Sequence, residues 1–142
     1  MDMEKRWSRL QQALGYSDEE VKVFRTNPKW VKMIEDAPGF SRYKIVAEVV
    51  QAHGCIAQHK VGDRIVMDAN GVLLRDECPE RMCVSAIAPL SHTFTAVCER
   101  LAENLDPNGI CFKHVGCTDL GPECGGWGKV IMRVDVMPME RR

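Results

Sequence analysis

The chain has 142 residues, 45% of them hydrophobic and 27% charged, with a formal net charge of −1. That length suits one compact domain with a short extension, and so apolar a composition excludes a disordered chain. The charge balance excludes a nucleic-acid binder working through bulk phosphate attraction, and no apolar run reaches the ~18–20 residues that a membrane-spanning helix needs.

The first forty residues read as short helices. Trp7, Leu10 and Leu14 recur at helical spacing up to Gly15, and the amphipathic start has no secretory-signal pattern. Ser17 and Glu20 form a capping-box pattern opening a second helix with Val21, Val23 and Phe24. Asn27-Pro28 pairs an N-cap with a proline at the first helical position, predicting a third helix through Trp30, Val31 and Ile34 that Pro38-Gly39 stops.

At Tyr43 the pattern changes. Residues 43–50 are strand-like, His53-Gly54 breaks them, and Lys60-Val61-Gly62-Asp63 is a turn into a second strand at 64–68. Asn70-Gly71 is a turn dipeptide, with residues 72–75 as a short hairpin partner. Residues 80–104 are helical in pattern, Ile87, Leu90, Phe94, Val97, Leu101 and Leu105 sharing one face, with a break at Pro89. Residues 110–115 read as a strand, a Gly-rich loop runs to Gly128, and residues 129–137 alternate clearly, with Val130, Met132, Val134 and Val136 on one side. The expected architecture is α+β: a small, mainly antiparallel sheet packed against one long helix, with a helical N-terminal extension over 1–40 and a Cys-rich domain over 41–138.

Seven cysteines and four histidines are the informative count. An odd number without a signal pattern fits poorly with a disulfide scaffold and suits a cytoplasmic chain whose thiols ligate metal or do redox chemistry. Six of the seven lie in polar, Gly- or Pro-punctuated segments: Cys55 with His53 and His59, Cys78-Pro79 with Cys83, and Cys111, Cys117 and Cys124 with His114. Each segment begins or ends an element, so they can converge at one end of the sheet. Thiolates with imidazole suit Zn²⁺ or an iron–sulfur cluster rather than Mg²⁺ or Ca²⁺. No Cys-x-x-Cys occurs, which argues against a zinc ribbon or finger, and buried packing is the plain alternative for several of these thiols.

Cys98 falls on the helical apolar stripe and reads as core, while Cys83, Cys111, His114 and Cys124 are open between ligand and other roles. His92 lies off that stripe and reads as solvated. A thiol nucleophile, Cys78 or Cys83 at a helix start with His59 nearby, is the main chemical competitor. The run from Gly121 to Gly128 lacks Gly-Lys-Ser/Thr and precedes a strand, which rejects a phosphate loop.

The pieces Gly54-Cys55, His59-Lys60-Val61-Gly62-Asp63, Cys78-Pro79, Cys117-Thr118-Asp119 and the final strand resemble, over residues 43–136, an uncharacterised family of small proteins found largely in anaerobic bacteria and archaea. The resemblance singles out Cys55, Cys78 and Cys117, with His59 as a fourth ligand, and leaves the N-terminal helices outside the match. The longer Gly-rich loop and the Met-rich last strand depart from the family's pattern. The resulting expectation is a small cytoplasmic protein binding an iron–sulfur cluster or Zn²⁺ through Cys55, His59, Cys78 and Cys117. It would serve as an accessory or electron-transfer subunit of a larger enzyme, or as a small metal-dependent enzyme with Asp119 or His53 as acid–base group. The alternative is a metal-free interaction module, or a homo-oligomer, that uses Trp7 and Trp30 of the N-terminal helices.

Overall fold

The computed structural model describes residues 2–35 and 40–140 and divides the chain into two compact units, Met1–Gly39 and Phe40–Arg142. In the first, α1 (Met3–Leu14) is capped by Asp2, whose carboxylate accepts from the Glu4 amide, and closes on Gly15 at φ 68°. The capping box forms as read: the Ser17 amide donates to Glu20 Oε2 at 2.8 Å and the Glu20 amide to Ser17 Oγ at 3.2 Å, opening α2 (Asp18–Arg25). Asn27 Oδ1 accepts from the Lys29 amide at the start of α3 (Pro28–Glu35). The expected stop at Pro38-Gly39 lies outside the described residues.

Trp7 corrects the picture of an aromatic face held out for a partner. It is buried, edge-on to Phe24 with ring centroids 6.0 Å apart, and carries the Arg25 guanidinium 4.4 Å from its ring. Phe24 in turn lies 5.2 Å from Trp30, which keeps an exposed edge.

The second unit is α+β. Its strands β1 (Tyr43–His53), β2 (Arg64–Asp68), β3 (His114–Gly116) and β4 (Lys129–Pro138) form one antiparallel sheet in the order β2-β1-β4-β3. Alternation puts Ile45, Ala47 and Val49 of β1, Ile65 and Met67 of β2, and Val130, Met132, Val134 and Val136 of β4 into one core. The helical side supplies Ala86 from α4 (Val84–Ile87) and Leu90 and Val97 from α5 (Leu90–Ala102). Among the described residues no helix is long and apolar enough to cross a membrane.

The ladder between β1 and β4 contains one irregularity. Val49 opposes Met132 and Gln51 opposes Ile131, so Val50 is an extra residue on β1. The Val49 amide and carbonyl are both engaged by the turn before β2, donating to Asp63 O at 2.8 Å and accepting from the Gly62 amide at 2.9 Å. Such a bulge shifts the strand's alternation by one. Beyond it Ala52 opposes the buried Val130 and is itself partly buried, while His53 is exposed.

Three elements differ from the pattern. Residues 80–83 are not helical: α4 starts at Val84, and the Cys83 amide is turned aside to His59 Nε2 at 3.3 Å. The strand expected over 110–115 is displaced to His114–Gly116, and Cys111 and Phe112 leave the edge of β4 for solvent. The hairpin partner at 72–75 contributes a single bridge, Met67 to Leu73, before a 3-10 turn at Arg75–Glu77. The break at Pro89 falls where expected, between α4 and α5. On the expected stripe, Leu90 and Val97 of α5 are buried, Leu105 lies beyond the helix end and is exposed, and Cys98 is half-buried outside the central cluster, its Sγ 3.4 Å from Ala69 O.

Met132 has no exposed surface and sits opposite Val49 at the centre of the sheet. Met132→Ala is expected to lower the unfolding free energy by about 2–5 kcal/mol in urea denaturation, and a loss below about 1 kcal/mol would contradict this packing.

Candidate metal centre

The antiparallel register collects the cysteine segments at one end of the sheet. The last residues of β1 pair with the first of β4 (His53 with Lys129), β3 ends opposite Ile131, and β2 begins opposite Glu48. There Cys55, His59, Cys83 and Cys117 line one pocket together with Ser85, Asp119, Lys129 and the apolar Ala86 and Val130. Its free space is about 20 Å³, room for one water-sized group or ion.

Each donor is placed by local structure. Cys117 follows β3 and is buried; its amide donates to Val130 O at 2.9 Å and its Sγ accepts from the Val130 amide at 3.2 Å. A tight turn in which the Gln58 amide donates to Cys55 O at 3.0 Å carries the chain from Cys55 to His59. His59 is buried, with Nε2 accepting from the Cys83 amide and Nδ1 standing 3.7 Å from Asp63 Oδ2. Cys83, partly buried, sits immediately before α4. Three thiols and an imidazole form a Cys₃His donor set, the chemistry of a closed zinc site. As the side chains stand, no group of three or more His, Cys, Asp or Glu among the described residues is gathered to hold an ion.

The other expected site residues lie elsewhere or act differently. Cys78 is not in the pocket: its Sγ is engaged by β2, accepting from the Val66 amide and donating to Val66 O, both at 3.3 Å. His53 is turned outward by the bulge and does not line the pocket. Asp119 lines it, but its carboxylate is occupied by the loop, with Oδ1 accepting from the Gly121 amide at 2.9 Å and the Trp127 amide at 3.0 Å. The Gly121 amide above all holds this carboxyl below its ordinary range. Desolvation opposes the shift, and the Trp127 and Gly128 amides and the Lys129 charge add to it. A carboxylate so held favours its ionised form, and its hydrogen bonds give Asp119 a part in organising its loop. Cys111, His114 and Cys124 are exposed and line no part of the pocket. Burial, with Glu99 adding to it, pushes the Cys98 thiol up to about 11, so it stays protonated at neutral pH.

The Gly-rich loop has a steric explanation. A Cβ at Gly128 would overlap the His53 carbonyl oxygen and the Gly54 backbone, and one at Gly126 would overlap Asp119 Oδ1. The glycines let this loop lie directly on the end of β1 and on its own organising carboxylate. Lys129 completes the closure, its Nζ donating to Cys117 O at 2.7 Å and to Asp119 O at 3.3 Å.

Two residues of the site escape sequence reading. Cys83 was one of several open thiols until the helix start at Val84 put it on the pocket side, and Asp63 reads only as a turn residue. The spacing His59-x-x-x-Asp63 across a tight turn is the signal that could have found the second. Comparison with known proteins finds no matching family model, no matching curated protein and no matching solved structure.

Because the folded Asp119 titrates below its ordinary value of 3.8, its contribution to the loop is complete above that value and is lost as pH falls through the lower folded one. In an acid titration followed by NMR, the Gly121 and Trp127 amides should shift together below about pH 4, near the reference carboxyl value. In Asp119→Ala both amides should lose their protection from hydrogen exchange relative to the wild type at the same pH. Slow exchange in that variant would show that other contacts hold the loop.

Proposed function

We propose that the protein is a metal-stabilised module that binds one zinc-type ion through Cys55, His59, Cys83 and Cys117. The observation that carries this reading is the gathering, around a single ion-sized cavity, of three of the seven thiols and one of the four imidazoles, contributed by segments up to 62 positions apart. The resemblance over residues 43–136 singles out three of the same four. Ion uptake would draw the side chains together and tie the β1–β2 connection, the start of α4 and the end of β3 to one centre.

The size of the cavity favours a single ion over an iron–sulfur cluster, and therefore a structural ion over electron transfer. Four protein donors close a tetrahedral ion, His53 lies outside the pocket and the Asp119 carboxylate is bonded within its own loop, so a closed site is favoured over a Lewis-acid one. All seven cysteines are free, which suits a reducing compartment such as the cytoplasm. A second reading, a metal-free module that binds a partner such as a subunit of a larger enzyme, draws support from the exposed Phe112, Leu120 and Trp127.

Metal analysis and Co²⁺ titration of anaerobically purified protein decide between them. One ion per chain is expected, with the charge-transfer and d–d bands of tetrahedral thiolate–cobalt, and a rise in stability of about 2.7 kcal/mol when free zinc is near 100 times Kd. Cys55→Ser, Cys83→Ser, Cys117→Ser and His59→Ala should each weaken binding, while Cys78→Ser and Cys98→Ser keep the stoichiometry. Iron with sulfide would favour the cluster. A folded protein that binds no metal would leave the second reading.

A further inference from the structure

We propose that Asp63 is a positioning residue for His59: its carboxylate, 3.7 Å from Nδ1, favours the proton on that nitrogen and so leaves the Nε2 lone pair to the pocket, making Nε2 the ligating atom. This rests on the metal reading above, although the tautomer it requires is a property of the metal-free protein as well.

The hydrogen-bond pattern assigns the tautomer. Nε2 accepts from the Cys83 amide at 3.3 Å, so Nε2 carries the lone pair, and in a neutral imidazole the proton is then on Nδ1. The group beside Nδ1 is the Asp63 carboxylate, with Oδ2 at 3.7 Å. The ring is almost wholly buried, so little water is available to satisfy Nδ1 instead.

The carboxylate is itself held in place. Asp63 Oδ2 accepts from the Lys60 amide at 3.1 Å, and the Asp63 amide donates to Lys60 O at 3.0 Å. The Gly62 amide and the Asp63 carbonyl clip the same turn to Val49, beside the bulge in β1. The turn, with Gly62 at φ 96°, thus does more than reverse the chain: it presents a fixed, partly buried anion to the far side of a candidate ligand. Carboxylate–imidazole pairs of this kind fix ring orientation and raise the basicity of the ligating nitrogen. Ion binding would exchange the Cys83 N–H···Nε2 bond for a metal–nitrogen bond, and the added polarisation of Nδ1–H would tighten its contact with Asp63.

The test uses full-length protein with ¹⁵N-labelled histidine, as wild type, Asp63→Asn and Asp63→Glu. Long-range ¹H–¹⁵N correlation spectra are recorded without metal and then with ¹¹³Cd²⁺, beside zinc affinities and thermal melting. Metal-free wild type should show His59 as the Nδ1–H tautomer, and Asp63→Asn should lose that preference while melting near the wild-type temperature. With cadmium, the one-bond coupling should fall on Nε2. Zinc affinity should drop about 10–100-fold in Asp63→Asn and recover in Asp63→Glu. A metal-free ring protonated at Nε2, or an Asp63→Asn variant that binds zinc as tightly as wild type, overturns the proposal. If wild type takes up neither metal but keeps the Nδ1–H tautomer that Asp63→Asn loses, the metal reading fails while the role of Asp63 in orienting the ring is upheld.

Discussion

The ladder between β1 and β4 joins residues 43–53 to residues 129–138, near the two ends of the second unit, and the other parts of that unit hang from it. Once these strands are paired, the connection out of β1, the return into β2, the end of β3 and the entry to β4 all arrive at the same end of the sheet. The pocket follows from that registry, because its donors come from segments that share no local structure. Closing such a long chain segment is entropically unfavourable, and the buried Ile45, Ala47, Val49, Met132 and Val134 at the strand centres offset it.

Around the pocket, backbone groups have taken most of the polar side chains. Asp119 gathers amides, Lys129 spans two carbonyls, and Cys78 is tied to β2. The side chains left lining the small cavity are soft donors and methyl-bearing walls. That division of labour separates residues that shape the loops from the thiols and the imidazole that line the cavity.

What was legible in the sequence was local. Ser17 with Glu20, Asn27-Pro28 and the alternation from Val130 to Val136 each declare themselves within a few residues, and each forms as read. The misplacements depend on distant partners. The choice between Cys78 and Cys83 turned on where α4 begins, which is linked to an amide bonded to His59, 24 positions earlier. Trp7 was read as an exposed anchor because nothing in its own helix reveals Phe24 and Arg25 beside it. The third strand slipped toward Gly116 because the edge of β4, and not the apolar residues at 110–112, decides where it can pair.

The single surplus residue at Val50 acts as a phase switch for everything downstream on β1. Deleting it would leave Ala52 toward the core and His53 toward solvent, whereas pairing Val50 in regular register would turn the His53 imidazole to the buried side and send Ala52 to solvent. The chemical character of this end of the sheet thus depends on how one residue is paired, with no change in side-chain inventory.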